Sequence, residues 1–147
     1  MSVSLHQTGG DMLKGILLAL LLIVAVPTTA SANEWREEQC RYNKGSEVWT
    51  HFEIRRTIKC AVSKWMVPGG VPKAISVADC ESSLYARAFN AGGYAGVYQQ
   101  SIQYWPARHR NAPNWLKLAP SVFNGRSNVI VSIRMARGGW GAWAGCA

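Results

Sequence analysis

Glu81 is the last acidic residue of the 147-residue chain; no Asp or Glu follows it. It stands directly after Cys80, within the stretch Val77–Ser101 (VADCESSLYARAFNAGGYAGVYQQS), ahead of a Gly/Asn-rich turn, an aromatic residue and paired glutamines. A carboxyl that opens a basic, aromatic segment without further acids has the chemistry of a general acid, provided that it holds its proton near neutral pH. Position supplies a reason for it to do so. Apolar Ala74, Ile75, Val77 and Ala78 predict a helix over Pro72–Ser82, with Pro72 at the first position, where its missing N–H costs nothing. Glu81 then falls in the last turn, beside the negative end of the helix dipole, which disfavours ionisation.

Other elements must hold this helix in place. A polar arm from Asn33 to Gly45 leads to a helix that Ser46 can cap, with Glu47 and Glu53 early and Arg55, Arg56 and Lys59 later, the order that suits the dipole. Ile58, Ala61, Val62 and Trp65 recur at helical spacing and form one buried stripe. Met66–Val71 (MVPGGV) breaks that helix. The glycines and Asn90 of Ala88–Gly96 allow positive φ angles, so this segment reads as a tight excursion with room for a short β-hairpin. Ser101–Tyr104 opens a helical turn that ends near Pro106, and Asn111–Pro120 is a loop. Ser127 serves as the N-cap of an apolar helix, Val129–Arg137, which Gly138 and Gly139 terminate. The Gly/Trp-rich tail takes its order from ring packing and from Cys146. The fold class is therefore mainly α with minimal β, in a small single domain.

Composition narrows the setting. Lys14 and the short apolar run Gly15–Val26 precede Ala30-Ser31-Ala32, the small-x-small form of a signal-peptidase site, so residues 1–32 read as a cleaved signal peptide. The run falls short of the about 20 apolar residues that span a bilayer, which makes an uncleaved membrane anchor through residues 15–26 the weaker reading. The net charge of +8 suits an anionic partner, and an exported chain meets acidic wall polymers and lipid head groups rather than nucleic acid. All four cysteines, Cys40, Cys60, Cys80 and Cys146, lie beyond the leader and read as two disulfides, with three pairings open. No CxxC or Cys/His cluster is present, and His51 and His109 stand isolated as surface residues, so no metal site is expected.

The order Cys80-Glu81, an Asn/Gly turn, YAGVYQ and the terminal GGWGAWAGC resembles the lysozyme-like superfamily. It is similar in particular to the resuscitation-promoting-factor domains and to the catalytic domain of soluble lytic transglycosylases. The first likeness rests on Cys80 before Glu81 and on Trp140-Gly141-Ala142-Trp143 before Cys146; the second on Glu81-Ser82, Asn90 and Gly96-Val97-Tyr98-Gln99. It covers Ala74 to Cys146, about half the chain. Ser83 stands where the family usually has Gly, and Gln100 where Ile, Val or Phe is common, which leaves open whether Gln99 or Gln100 faces the cleft. The resemblance implies a lysozyme-like α+β domain over residues 71–147, preceded by an arm and helix over 33–70. It also implies a Cys80–Cys146 bridge, and with it Cys40–Cys60.

What it implies for chemistry is cleavage of the bond between N-acetylmuramic acid and N-acetylglucosamine in peptidoglycan. Glycoside hydrolysis ordinarily uses two carboxyls, about 5–5.5 Å apart in retaining enzymes and about 6.5–9.5 Å in inverting ones. Asp79 precedes Glu81 by two helical residues, about 200° around the axis, and should point elsewhere. Transglycosylation needs Glu81 alone. The resemblance marks Gln99, Tyr98 and Asn90 as substrate-binding residues, and Tyr94, Trp105 and Trp140 are candidate platforms for sugar faces. Seven tryptophans exceed what one cleft can use, so most belong to packing. Arg87, Arg108, Arg110, Lys117 and Arg126 read as a solvated basic rim, and Asn128 as structural. No cofactor is implied; the expected partner is peptidoglycan, met by a secreted, wall-associated monomer without a nucleic-acid partner. The alternatives are a muramidase-type hydrolase, a non-catalytic wall-binding module and a cationic membrane-active protein.

Overall fold

The computed structural model describes residues 39–43 and 48–147. The expected signal peptide, the start of the arm and the cap expected at Ser46 lie outside the described residues. Helix α1 spans His51–Trp65 and is capped by Thr50. The Thr50 hydroxyl accepts the Glu53 N–H at 3.2 Å, and the Glu53 carboxylate accepts the Thr50 N–H at 2.9 Å, so both orphan donors are satisfied. The expected stripe is present in Ile58, Ala61 and Val62, joined by Ile54 and Thr57, whereas Trp65 is only half-buried.

After the Pro68-Gly69 turn, α2 runs Gly70–Ser82 and buries Ala74, Val77 and Ala78. It ends where Ser83 enters the left-handed region at φ 52°. A three-stranded antiparallel sheet follows, β1 (Phe89–Asn90), β2 (Tyr94–Ala95) and β3 (Gln100–Ser101), in that order. Phe89 faces Ala95, Asn90 faces Tyr94, and Ala95 faces Gln100 across the ladders. The hairpin thus forms as expected. Gln100–Ser101, however, adds a third strand where the sequence had suggested the opening of a helical turn. The helical turn itself begins later: α3 spans Trp105–Arg110 with Pro106 in its first turn, so Pro106 starts this helix and does not end it.

Helix α4, Gly125–Ala136, is the centre of the molecule, and its only residues that are not buried are Arg134 and Met135. Its cap is Asn124, not Ser127: the Asn124 side-chain oxygen accepts the Ser127 N–H at 3.0 Å, which places Ser127 inside the first turn. A helix buried on nearly all sides needs partners all round. α1 crosses it most extensively, at a point where a Cβ on Gly125 would stand 2.6 Å from both Ile54 and the Trp49 ring. α1 therefore belongs to the same core as the rest of the domain.

Two disulfides brace this small, mainly α domain, Cys40–Cys60 and Cys80–Cys146. Such bonds persist in an oxidising environment. Beyond α4 the tail folds into a short 3-10 turn, Gly141–Trp143, held as expected by rings and by Cys146. Trp140 stacks on Tyr98 with centroids 6.3 Å apart, and Trp143 meets both edge-on at 5.8 and 5.6 Å. Among the described residues no helix is long and apolar enough to cross a membrane.

Candidate functional site around Glu81 and the hairpin

Glu81 stands in the last turn of α2, half-buried. Burial raises its pKa above the ordinary glutamate value. That direction agrees with the position beside the carbonyl end of the helix, where a negative charge is unwelcome. Its carboxyl has no hydrogen-bond partner among the described residues. The next residue couples this helix end to the sheet: the Ser82 hydroxyl donates to the Val97 carbonyl at 2.7 Å.

The loop between β2 and β3 is pinned from the other side by Asn128, fully buried on α4. The Asn128 carbonyl oxygen accepts the Tyr98 N–H at 2.9 Å, and its amide donates to the Ala95 and Val122 carbonyls at 3.2 and 3.0 Å. Asn128 is thus structural, as expected. Gly96 makes this approach possible. It sits at φ 79°, and a Cβ there would overlap the Asn128 amide and lie 2.6 Å from the Val122 carbonyl oxygen.

Gln99 follows in the left-handed region at φ 44°, a backbone conformation that costs a non-glycine residue about 1–3 kcal/mol. Its side chain is held at both ends. The oxygen accepts the Asn90 amide at 2.9 Å, and the nitrogen donates to the Gly96 carbonyl at 3.0 Å. Asn90 in turn closes its own turn by accepting the Gly92 N–H at 2.9 Å. Strain kept in place by a local network is a mark of functional positions.

Asn90, Tyr94 and Gln99 are therefore gathered on the hairpin, and Tyr94 is 45% exposed and free to meet a ring. Tyr94 and Gln99 line a pocket of about 210 Å³, together with Gln100, Ser101, Tyr104, Arg108, Ala142 and Trp143. Glu81 is outside that lining and is tied to the hairpin through Ser82. The two glutamines divide their tasks: Gln99 is half-buried at the pocket, whereas Gln100 is 1% exposed and bonds inward.

Three expected substrate contacts are core residues instead. Tyr98 is fully buried, and its hydroxyl donates to the Ala74 carbonyl at 2.9 Å, so it seats α2 against the loop. Desolvation holds that phenol far above its ordinary pKa. The Trp105 indole donates to the Pro120 carbonyl at 2.7 Å and the Trp140 indole to the Pro68 carbonyl at 2.8 Å, both from buried rings. In each case a large ring buries its face and satisfies its one polar atom, which leaves no platform for a sugar.

The basic rim also needs revision. Arg87, Arg110 and Lys117 are exposed, but Arg126 is buried, donating to the Gln39 and Leu116 carbonyls at 2.8 and 2.7 Å. Desolvation and the nearby Arg41 lower its pKa to about 10. It is a strut for the N-terminal arm. His109, expected at the surface, is half-buried against Trp105 with ring centroids 5.6 Å apart. The pairing of Gln100 with Arg108 was missed by sequence reasoning, since it depends on α3 packing beside β3. No protein-family model, curated protein or solved structure matches the chain.

Proposed function

We propose that the protein is an exported enzyme that cuts the N-acetylmuramic acid–N-acetylglucosamine bond of peptidoglycan as a lytic transglycosylase, with Glu81 as its single acid and base. On this reading the helices and the small sheet form a minimal lysozyme-like domain. The observation that carries the proposal is the Glu81 carboxyl itself: half-buried, without a hydrogen-bond partner among the described residues, and pushed toward its protonated form by burial. An acid in that state is suited to protonating a leaving-group oxygen.

A second carboxyl is not at hand among the described residues. Glu53 is committed to the cap of α1, and Asp79 is exposed on another face of α2. Glu34, Glu37, Glu38 and Glu47 lie outside the described residues, and the one-carboxyl mechanism is taken from the resemblance. Glu81 gives its proton to the glycosidic oxygen while the substrate's acetamido group supports the cationic carbon. The resulting carboxylate then takes the proton of the muramyl C6 hydroxyl, whose oxygen closes a 1,6-anhydro ring. Gln99, with both ends of its amide already oriented, and the exposed ring of Tyr94 would align the strand beside this acid.

Purified cell walls test the proposal. The wild-type protein should lower their turbidity and release muropeptides with anhydro ends, and Glu81→Gln should not, while keeping its near-UV circular dichroism. Reducing ends would mean a hydrolase. Binding without turnover in both proteins would leave a wall-binding module.

A further inference from the structure

The pocket beside the hairpin contains a cation that nothing in the glycosidic chemistry requires. Arg108 on α3 donates from Nη1 to the Gln100 side-chain oxygen at 2.6 Å. Gln100 donates in turn to the Ser132 hydroxyl of α4 at 2.7 Å and approaches the Met135 sulfur at 3.7 Å. Gln100 and Ser132 are 1% and 0% exposed, so this relay is rigid and dry at its base. The guanidinium also lies 5.5 Å from the Tyr104 ring centroid.

A glutamine oxygen orients an arginine without neutralising it. No carboxylate pairs with Arg108 among the described residues, and its remaining N–H groups have no hydrogen-bond partner there. A guanidinium carries five donors in a planar fork that matches a carboxylate. Arg108 lines a pocket that Gln99 and Tyr94 also line. At about 210 Å³ the pocket is smaller than the about 300–1,000 Å³ of a whole small-molecule site, and it fits one branch of a polymer.

We propose that Arg108, fixed through Gln100 and Ser132, makes this pocket a carboxylate-recognising subsite. The inference rests on the wall-glycan reading, which supplies two sources of carboxylate: the lactyl group of a muramyl residue stripped of its peptide, or the acids of a peptide stem still attached.

The test is an NMR titration of the full, disulfide-bonded protein carrying Glu81→Gln, following the Trp143 indole and Arg108 Nε–H signals. The probes are N-acetylmuramic acid, N-acetylglucosamine and a muramyl dipeptide whose lactyl group is amidated. N-acetylmuramic acid or the dipeptide should bind about tenfold tighter than N-acetylglucosamine, the scale of one charge-assisted hydrogen bond. Preference for N-acetylmuramic acid identifies the lactyl source, and preference for the dipeptide identifies the stem. Arg108→Gln should abolish the preference, and Arg108→Lys, which keeps the charge but loses the fork, should reduce it even if the first variant folds poorly. Equal binding of acidic and neutral sugars, binding of neither, or a preference that survives both substitutions overturns the subsite. Wall digestion by the Glu81-containing protein separates the two claims. Selectivity without digestion upholds the subsite and sinks the cleavage reading; digestion without Arg108-dependent selectivity does the reverse.

Discussion

Asn128 accepts the Tyr98 backbone N–H at 2.9 Å across 30 residues of chain, from a position where neither residue touches solvent. This bond and the two that the Asn128 amide gives to Ala95 and Val122 fasten the hairpin to the central helix. Asn128→Ala leaves a buried donor and two buried acceptors to find new partners. Each such orphan costs about 1–3 kcal/mol. A loss of about 3 kcal/mol in a urea titration is expected, with no gain from Asn128→Asp, which keeps the acceptor but buries a charge. A loss below about 0.5 kcal/mol would mean that water replaces the amide without penalty.

The Glu81 carboxyl is expected to make stability fall as pH rises. Its folded pKa is raised, so the folded state holds the proton more tightly than the unfolded chain does. Between the ordinary glutamate value and the raised one, each step up in pH therefore favours unfolding. Glu81→Gln removes this dependence. The variant should melt at or above the wild-type temperature at pH 7, and the difference should shrink toward pH 4. On the proposed mechanism, wall digestion declines over the same rise in pH as the acid loses its proton, and Glu81→Gln lowers it at least about 100-fold. A wild type that gains stability on the same upward titration would contradict the raised pKa.

The helices α1, α2 and α4 were legible because their apolar residues recur at helical spacing and Pro68, Gly69 and Gly138 interrupt them. Their ends were less so. Thr50 and Asn124 took the capping roles expected of Ser46 and Ser127, because Ser, Thr and Asn all cap well and only the packed helix selects among neighbours. β3 was unreadable in a two-residue segment, since its pairing depends on the loop that Gly96 and Asn128 bring together. At the site, Asn90 donates to Gln99, and Tyr94 and Gln99 line one pocket. Tyr98, Trp105 and Trp140 are buried in the core instead. An aromatic residue has the same letter whether it faces a sugar or a core, and the sequence does not reveal that Pro68, Ala74 and Pro120 offer carbonyls to those rings.

Ser83 occupies the left-handed end of α2 at φ 52°, with its N–H on the Asp79 carbonyl at 2.7 Å. For a residue with a Cβ this conformation costs about 1–2 kcal/mol, and glycine avoids it at some expense in unfolded-chain entropy. Ser83→Gly should stabilise the protein by about 0.5–1 kcal/mol, seen as a higher urea midpoint at constant slope. Among the described residues the Ser83 hydroxyl has no hydrogen bond to lose. A destabilised variant would show that the side chain contributes something the backbone argument omits.

The two disulfides should differ in what their loss costs. Cys80–Cys146 closes 66 residues and Cys40–Cys60 closes 20, so chain entropy assigns about 4 and about 3 kcal/mol to them. Each end also has non-covalent support. The tail is held by the Trp143 indole on the Tyr98 carbonyl at 2.7 Å and by the Tyr98–Trp140–Trp143 cluster; the arm is held by Arg126 on the Gln39 carbonyl. The Cys80→Ser, Cys146→Ser pair should therefore keep its native near-UV spectrum in buffer yet unfold at the lower denaturant concentration of the two double variants. Replacing Cys40 and Cys60 should be milder until Arg126→Met is added, which removes another tie of the arm. If the Cys40–Cys60 variant unfolds first without that third change, the arm contributes more to the core than its closed loop predicts.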